Sequence, residues 1–448
     1  MGTFFDDASL VMIPSGVKES KLYSIKPSNG DGDFTFTRGT DTATRVNSAG
    51  NIEKETQNLL LQSNQFDTTW ANVNTTETSG QSGYDGSNDA WLLSKSAASA
   101  RIEQSVSQSG VLTFSVYAKA GTLNWIRLNV DSASAFYDLA NGVVGSNVSN
   151  TIQHNIYDIG SGWYRCELVI NLTASVCRIY PAQNDGDVSG TSGNIVIQNA
   201  QLEQSLVART YIETTTAAVY AGITDNLPRL DYSGGASCPS LLLEPQRSNL
   251  YTYSEYYDTY TKSSCTITSN ATTSPEGSQN ASKIVSASGG PNIKRIQPAI
   301  TTTGANEYII SAFAKKAEWD YLFIYGAGTL VNGSLTIFNL DNGTIEQGSA
   351  HASIEAFGDD GWYKVTWKAT SAGTGTADPR IGITDNSSSS NSTGDGVSGV
   401  YLYGLQIEEA SYPTSYIPTY GSSATRAKDF IAQNIQTLTS GLTEGTLF

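Results

Sequence analysis

Charge is scarce in this 448-residue chain, and basic charge is scarcest. Asp, Glu, Lys and Arg make up 15% of residues, with 26 Lys plus Arg against 42 Asp plus Glu, for a formal net charge of −16. Binding a polyanion needs Lys or Arg arrayed along its phosphates, and no long basic run exists, which argues against a nucleic-acid partner. No apolar run approaches the ~18 residues of a membrane-spanning helix. Met1-Gly-Thr-Phe-Phe-Asp-Asp lacks the basic and apolar regions of a secretion signal, and Asp6 stands where a myristoylation motif wants Ser or Thr. Release from a cell would then need another route, such as packaging into a particle. There are two histidines, His154 and His351, and no Gly-x-Ser-x-Gly, His-Glu-x-x-His or phosphate-cradling loop, so the chain reads as a non-enzyme. The four cysteines, Cys166, Cys177, Cys238 and Cys265, lack metal-ligand spacing. A hairpin of Trp163 to Leu172 with Ser175 to Pro181, turning about Thr173, would set Cys177 opposite Ile170. At ~3.4 Å per residue that is too far from Cys166 to bridge, and all four are read as free thiols.

What the chain has in abundance is Ser, Thr, Asn, Gly and Tyr, a profile of β-rich extracellular or virion proteins. It also says one phrase twice. Residues 195–213 align without a gap on residues 400–418, placing Gln201 on Gln406, Glu203 on Glu408, Tyr211 on Tyr416 and Ile212 on Ile417. Earlier pairs follow in the same order: Asn58-Leu59 with Asn249-Leu250, Leu112 to Lys119 with Tyr308 to Lys315, Phe136 to Gly142 with Ile337 to Gly343, and Gly162-Trp-Tyr with Gly361-Trp-Tyr. The repeated unit is a whole domain.

Within each repeat, short alternating runs are spaced by Gly, Asn, Asp and Ser, the signature of an antiparallel sandwich. The expected architecture is all-β: a leader over 1–57, a first sandwich over 58–215, an extended stiff linker over 216–248, a second sandwich over 249–426, and a C-terminal segment over 427–448 that begins a further domain. Ile195 and Ile197 share a face with each other, but Ala200 and Leu202 fall one residue out of phase, as Leu405 and Ile407 do after Val400 and Leu402. An extra residue at Asn199 and at Gly404, a β-bulge, would bring all of them inward. The leader carries Phe4, Phe5, Phe34 and Phe36 without partners of its own to bury them, which predicts a contact with another chain.

Asp33-Phe-Thr-Phe-Thr-Arg38, Ala43-Thr-Arg-Val-Asn-Ser-Ala-Gly, Leu227-Pro-Arg-Leu-Asp-Tyr, Cys238-Pro-Ser-Leu-Leu-Leu-Glu-Pro-Gln-Arg247, Pro413-Thr-Ser-Tyr-Ile-Pro-Thr419 and Ala424-Thr-Arg426 together resemble a group of tailed-bacteriophage virion proteins. The resemblance covers almost the whole chain. It implies jelly-roll domains similar to carbohydrate-binding modules, carried on a tail or head fibre at the virion surface. It also implies attachment to other virion proteins through residues 1–57, a homo-oligomer with three copies favoured, and host-surface glycan as the target. Two departures stand out: the leader lacks the Pro-Arg-Leu-Asp-Tyr segment, and the first repeat ends Val207-Ala-Arg-Thr-Tyr-Ile-Glu. A rival reading from another class makes these repeats the binding modules of a glycan-degrading enzyme, and a third makes the chain a structural spacer.

Sugar rings stack their apolar C–H faces on aromatic side chains, so a glycan site needs Trp or Tyr exposed on a sheet face. Trp125 aligns with Tyr321, with Trp319 beside the latter, and these three are the candidate ligand residues. Tyr137 and Phe338 read as interior filler, and Trp163 and Trp362 as structural. The matched Glu203 and Glu408 are candidates for a structural calcium, whose preferred donors are carboxylate oxygens. The alternative is that each bonds backbone N–H groups at a strand end.

Overall fold

Alternation of apolar and polar residues gives strands one face to bury, and two such faces close on each other. The computed structural model describes residues 4–148, 150–235, 237–331 and 333–433. Apart from the four-residue helix Phe4–Asp7 and three 3-10 turns, the regular structure described is strand. Contacts divide the chain into two units, one of Thr56–Ala221 with Tyr420–Ser422, the other of Met1–Glu55, Gly222–Thr419 and Ser423–Phe448.

In the first unit, one layer runs Ala71–Val73, the start of Arg101–Ala120, the end of Trp163–Ala182, Trp125–Val130, Ala133–Asp138 and Val143–Asn147. The other runs Thr75–Gln81, Ala90–Lys95, Gly193–Glu203, the end of Arg101–Ala120, the start of Trp163–Ala182 and Thr151–Gly160. Leu112, Phe114, Val116, Ile126, Leu128, Tyr137, Cys166, Leu168 and Ile179 fill the space between.

Two 20-residue strands thus pass through both layers, and this corrects the expected hairpin about Thr173. Trp163–Ala182 is continuous, paired with Arg101–Ala120 from Ile102–Ile179 to Lys119–Trp163. Its sequence at the supposed turn, Asn171-Leu-Thr-Ala-Ser, offers no Gly or Pro to reverse the chain, and the neighbouring strand takes the bend at Gly110, φ 98°. The cysteines are free for a different reason: Cys166 and Cys177 lie along one strand, both facing the core.

The second unit repeats this order strand for strand. Thr261–Ser263, Gly289–Gln297, Arg380–Thr384, Tyr321–Tyr325, Thr336–Asn339 and Thr344–Gln347 form one layer. Cys265–Thr272, Ala281–Ser286, Gly399–Glu409, Glu307–Lys316, Trp362–Ser371 and Ala352–Phe357 form the other. Here each crossing strand is broken twice, leaving the short pieces Ile300–Thr302 and Gly375–Ala377 paired with each other; Pro298 and Pro379, which have no N–H for the ladder, stand at one break on each, and Gly304 and Gly373 at the other. Tyr137 and Phe338 are fully buried in their respective cores.

The bulges occur where the phase slip requires. Ser115 pairs with Gln201 and Tyr117 with Gln198, while Ser311 pairs with Gln406 and Phe313 with Tyr403. The extra residues, Asn199 and Gly404, take left-handed φ of 54° and 63°. The amide that follows each finds a partner off the ladder, Ala200 N donating to Ser63 O and Leu405 N to Ser254 O, both at 2.9 Å.

Neither the leader nor the stretch 222–248 stands alone. The boundary of the first unit lies at Thr56 and Ala221 because Thr56–Asn58 pairs with Val219–Ala221. The stretch expected to be a linker instead contributes the hairpin of Arg229–Asp231 with Ser240–Leu242 to the second unit. Leader strands Val11–Lys18, Lys21–Lys26 and Phe34–Thr37 form a sheet with Phe430–Ala432. Phe36 is fully buried there and Phe5 is exposed. The fully buried Arg38, Arg229 and Arg426 meet two carboxylates, Asp429 and Glu244: Arg38 Nη1 lies 3.3 Å from Asp429, and Arg229 and Arg426 lie 2.8 and 2.9 Å from Glu244. Arg229 also pairs with Asp429. The phrases that carry the phage-protein resemblance therefore supply a buried electrostatic knot. Of the expected C-terminal segment, residues 434–448 lie outside the described residues.

Candidate functional site

In the first unit, the inward series Ile126, Leu128, Val130 leaves Trp125, Arg127 and Asn129 on the outer side of the sheet. The same alternation turns Arg178 and Tyr180 outward beside Cys177 and Ile179, and Arg101 and Glu103 outward beside Ile102. Register then sets these side chains in rows. Arg127 pairs with Tyr180 on one side and Phe136 on the other, and Asn129 pairs with Arg178 and Ser134.

The rows are held by specific contacts. The Arg127 guanidinium lies 5.1 Å from the centre of the Tyr180 ring and 5.6 Å from that of Phe136, and Arg101 lies 5.7 Å from Tyr180. Such cation–π contacts favour a flat guanidinium over an aromatic face. Glu103 accepts from Arg101 Nε at 2.8 Å and Arg178 Nε at 2.9 Å, and Arg178 Nη1 donates to Asn129 at 3.0 Å. Arg127 Nη2 donates to Ser134 Oγ at 3.1 Å, and its buried Nε has no partner among the described residues. Burial lowers the affinity of Arg127 for its proton, with Arg178 adding to the effect and Tyr180 opposing it. Arg101 and Arg178 thus share Glu103, while Arg127 has no carboxylate partner among the described residues.

Trp125 is half-buried at the end of this surface, against Gly145, where an added Cβ would sit 2.6 Å from its ring. In the second unit, the same face carries Tyr321, Phe323 and Tyr325 as alternate residues of one strand, with Phe323 and Tyr325 stacked at 6.0 Å. Its Arg380 is paired with Asp378 at 3.1 Å. Tyr321 is half-buried, whereas Trp319 is 8% exposed and packs in the core. The structure therefore sets Trp125 and Tyr321 at matched places on the two sheets and turns Trp319 inward.

A second concavity belongs to the second unit alone, a groove of about 980 Å³ whose lining includes Asn47, Tyr232, Phe357, Asp360, Trp362 and Ser415. Trp362 is 3% exposed and forms part of an apolar cluster with Phe313, Tyr403 and Tyr416. Trp163 has the same role with Tyr117 and Tyr84 in the first unit.

Glu203 and Glu408 are buried at the ends of their strands. Glu203 accepts from Arg209 N at 3.0 Å and Gln201 Nε2 at 2.6 Å; Glu408 accepts from Thr414 N at 3.0 Å and Gln406 Nε2 at 2.9 Å. Gln201 and Gln406 in turn accept from Ile212 N and Ile417 N, at 2.8 and 2.7 Å. The repeated Gln-x-Glu thus clamps the segment that follows back onto its strand. Donors engage both oxygens of Glu408, whereas on Glu203 both go to Oε1 and the buried Oε2 lies 3.9 Å from Arg209 Nη1 with no hydrogen-bond partner among the described residues; no cluster of three or more acidic, His or Cys residues suited to a metal exists among the described residues. His154 bonds Gly145 O, and His351 is exposed.

Sequence reasoning missed Arg101, Glu103, Arg127, Arg178 and Tyr180. Their alternation with Ile102, Ile126, Cys177 and Ile179 was a usable signal, but the expected hairpin put Arg178 and Tyr180 beside the wrong strand.

No protein-family model and no curated protein sequence matches the chain. Among solved structures, the N-terminal CBM22-1–CBM22-2 tandem domain of Xyn10C from Paenibacillus barcinonensis is similar over 79% of this chain and 98% of its own length, at 12% identity and a TM-score of 0.26.

Proposed function

We propose that this chain displays glycan-binding β-sandwiches on the surface of a tailed-phage particle. The observation that supports binding is the outer sheet face of the first unit, where Trp125 lies beside rows of guanidinium and aromatic groups with hydrogen-bonding capacity. Such a surface offers a stacking platform for a sugar ring and donors for its hydroxyls. The matched Tyr321 face of the second unit gives the chain two sites, and linked sites raise apparent affinity by ~10² to 10⁴. The virion role rests on the resemblance of the leader, the 227–247 stretch and the 413–426 stretch.

Attachment is assigned to residues 1–57, in a homo-oligomer of three copies. Phe5, Ile13, Ile25 and Phe430 on or beside the leader sheet are 41–50% exposed, apolar surface suited to another chain. A glycan array probed with the full chain tests the binding reading, and binding to no saccharide would overturn it. Mass spectrometry of purified particles tests the location, which a protein found only free in lysates would refute.

A further inference from the structure

The outer face of the first unit gathers guanidiniums in a chain that has few. Arg101, Arg127 and Arg178 converge on it with one carboxylate, Glu103, which is shared by Arg101 and Arg178. Arg127 pairs with no carboxylate among the described residues, yet its guanidinium is held in place by two rings and Ser134. The carboxylates near the Trp125 end are already engaged. Asp138 accepts from Ala140 N, Asn141 N and Asn141 Nδ2, and Asp185 from Ser146 N and Oγ. Those two carboxylates keep their charge, so the face as a whole is close to neutral, and what sets it apart is Arg127, a guanidinium fixed in place with no carboxylate of its own among the described residues. Trp125 lies two residues from Arg127 on the same side of one strand, a spacing of about 7 Å. That is the reach from one sugar ring to a charged group on the same or the next residue.

We infer that this face takes an acidic saccharide, its carboxylate or sulfate held by Arg127 between Tyr180 and Phe136 while a neighbouring ring stacks on Trp125. The inference rests on the glycan-binding reading and adds the class of ligand. Guanidinium is the side chain suited to it, because its planar fork matches carboxylate and sulfate and its weak hydration tolerates the partly buried position. The second unit differs: at the matched positions Phe323 replaces Arg127 and Gly382 replaces Tyr180, and Arg295, which lies on that face beside Gly382, has among the described residues no pair of flanking rings to hold its guanidinium as Tyr180 and Phe136 hold Arg127.

The test is calorimetric titration of the full chain with a glucuronic-acid-containing oligosaccharide, its carboxyl-reduced counterpart and its O-sulfated counterpart. Wild type is expected to prefer the charged forms by about tenfold or more, with the preference shrinking as salt is raised. Arg127→Gln should remove the preference and leave binding of the reduced sugar within about threefold, and Arg101→Gln, a milder change at the edge, should reduce it in part. Lys119→Gln, on the other layer, should change nothing. Equal affinity for the charged and reduced sugars would overturn the inference and leave glycan binding standing. Binding to none of the three or to any array saccharide would overturn both. A preference that survives Arg127→Gln, with melting unchanged, would place the anion elsewhere and refute the assignment. Whether the carboxylated or the sulfated form binds tighter distinguishes a uronate from a sulfate target.

Discussion

Glu167 offers a quantitative check on how the first sandwich is buried. It sits on Trp163–Ala182 and is 3% exposed, and its Oε2 has no hydrogen-bond partner among the described residues. Burial pushes its carboxyl from the ordinary 4.5 up to about 7, against the pull of Arg165 and with Glu203 adding to the rise. Between those values the unfolded chain has released the proton and the folded chain still holds it. The folded state binds more protons, so stability falls as pH rises through this window. At about 1.36 kcal/mol per pH unit from 4.5 to about 7, the loss is on the order of 3 kcal/mol by pH 8. Glu167→Gln removes this titration. Its amide carries its own burial cost, but that cost is the same at every pH, so the difference between variant and wild type is the informative quantity. Urea unfolding of both proteins at pH 4, 6 and 8, with hydrogen exchange of the Trp163–Ala182 amides assigning the transition, should show Glu167→Gln gaining relative to wild type by about 3 kcal/mol between pH 4 and pH 8. A difference that stays flat across the range would refute the reasoning.

Asp429→Asn should unfold the second unit more easily by about 3–5 kcal/mol, because Arg38 and Arg229 would be left buried without their shared carboxylate; calorimetric melting reads it, and a loss below about 1 kcal/mol would mean the knot is hydrated. Lys54→Met should cost a similar amount in the same unit, since the ammonium lies 2.6 Å from Glu255 and 2.7 Å from Glu276 and its removal leaves two buried carboxylates face to face. Gly404→Val should destabilise by about 2 kcal/mol or more, as a β-branched residue is forced to φ 63° beside the Phe313 ring, whereas Asn199→Gly keeps the left-handed backbone and should cost only about 1 kcal/mol for the lost Nδ2 bond to Tyr84 Oη; equal effects in chemical denaturation would sink the bulge argument.

The sequence by itself determined what is local or repeated. Duplication was legible because matched phrases kept their order, and the fold class because period-two alternation needs no knowledge of neighbours. The bulges at Asn199 and Gly404 were legible because an apolar phase slip admits one cure. Tertiary structure decided everything that depends on which strand lies beside which. Alternation shows that Arg178 and Tyr180 point away from the core, but only register places them against Asn129 and Arg127. The extension of Trp163–Ala182 through both layers was likewise hidden, because a strand and a hairpin made of the same residues have the same pattern. The leader's destination lay furthest out of reach: Arg38 bonds Asp429 across 391 residues, and Lys54 bonds Glu255 across 201. Burying an arginine or a lysine is tolerable only when a counter-charge arrives with it, and a sequence does not say from where.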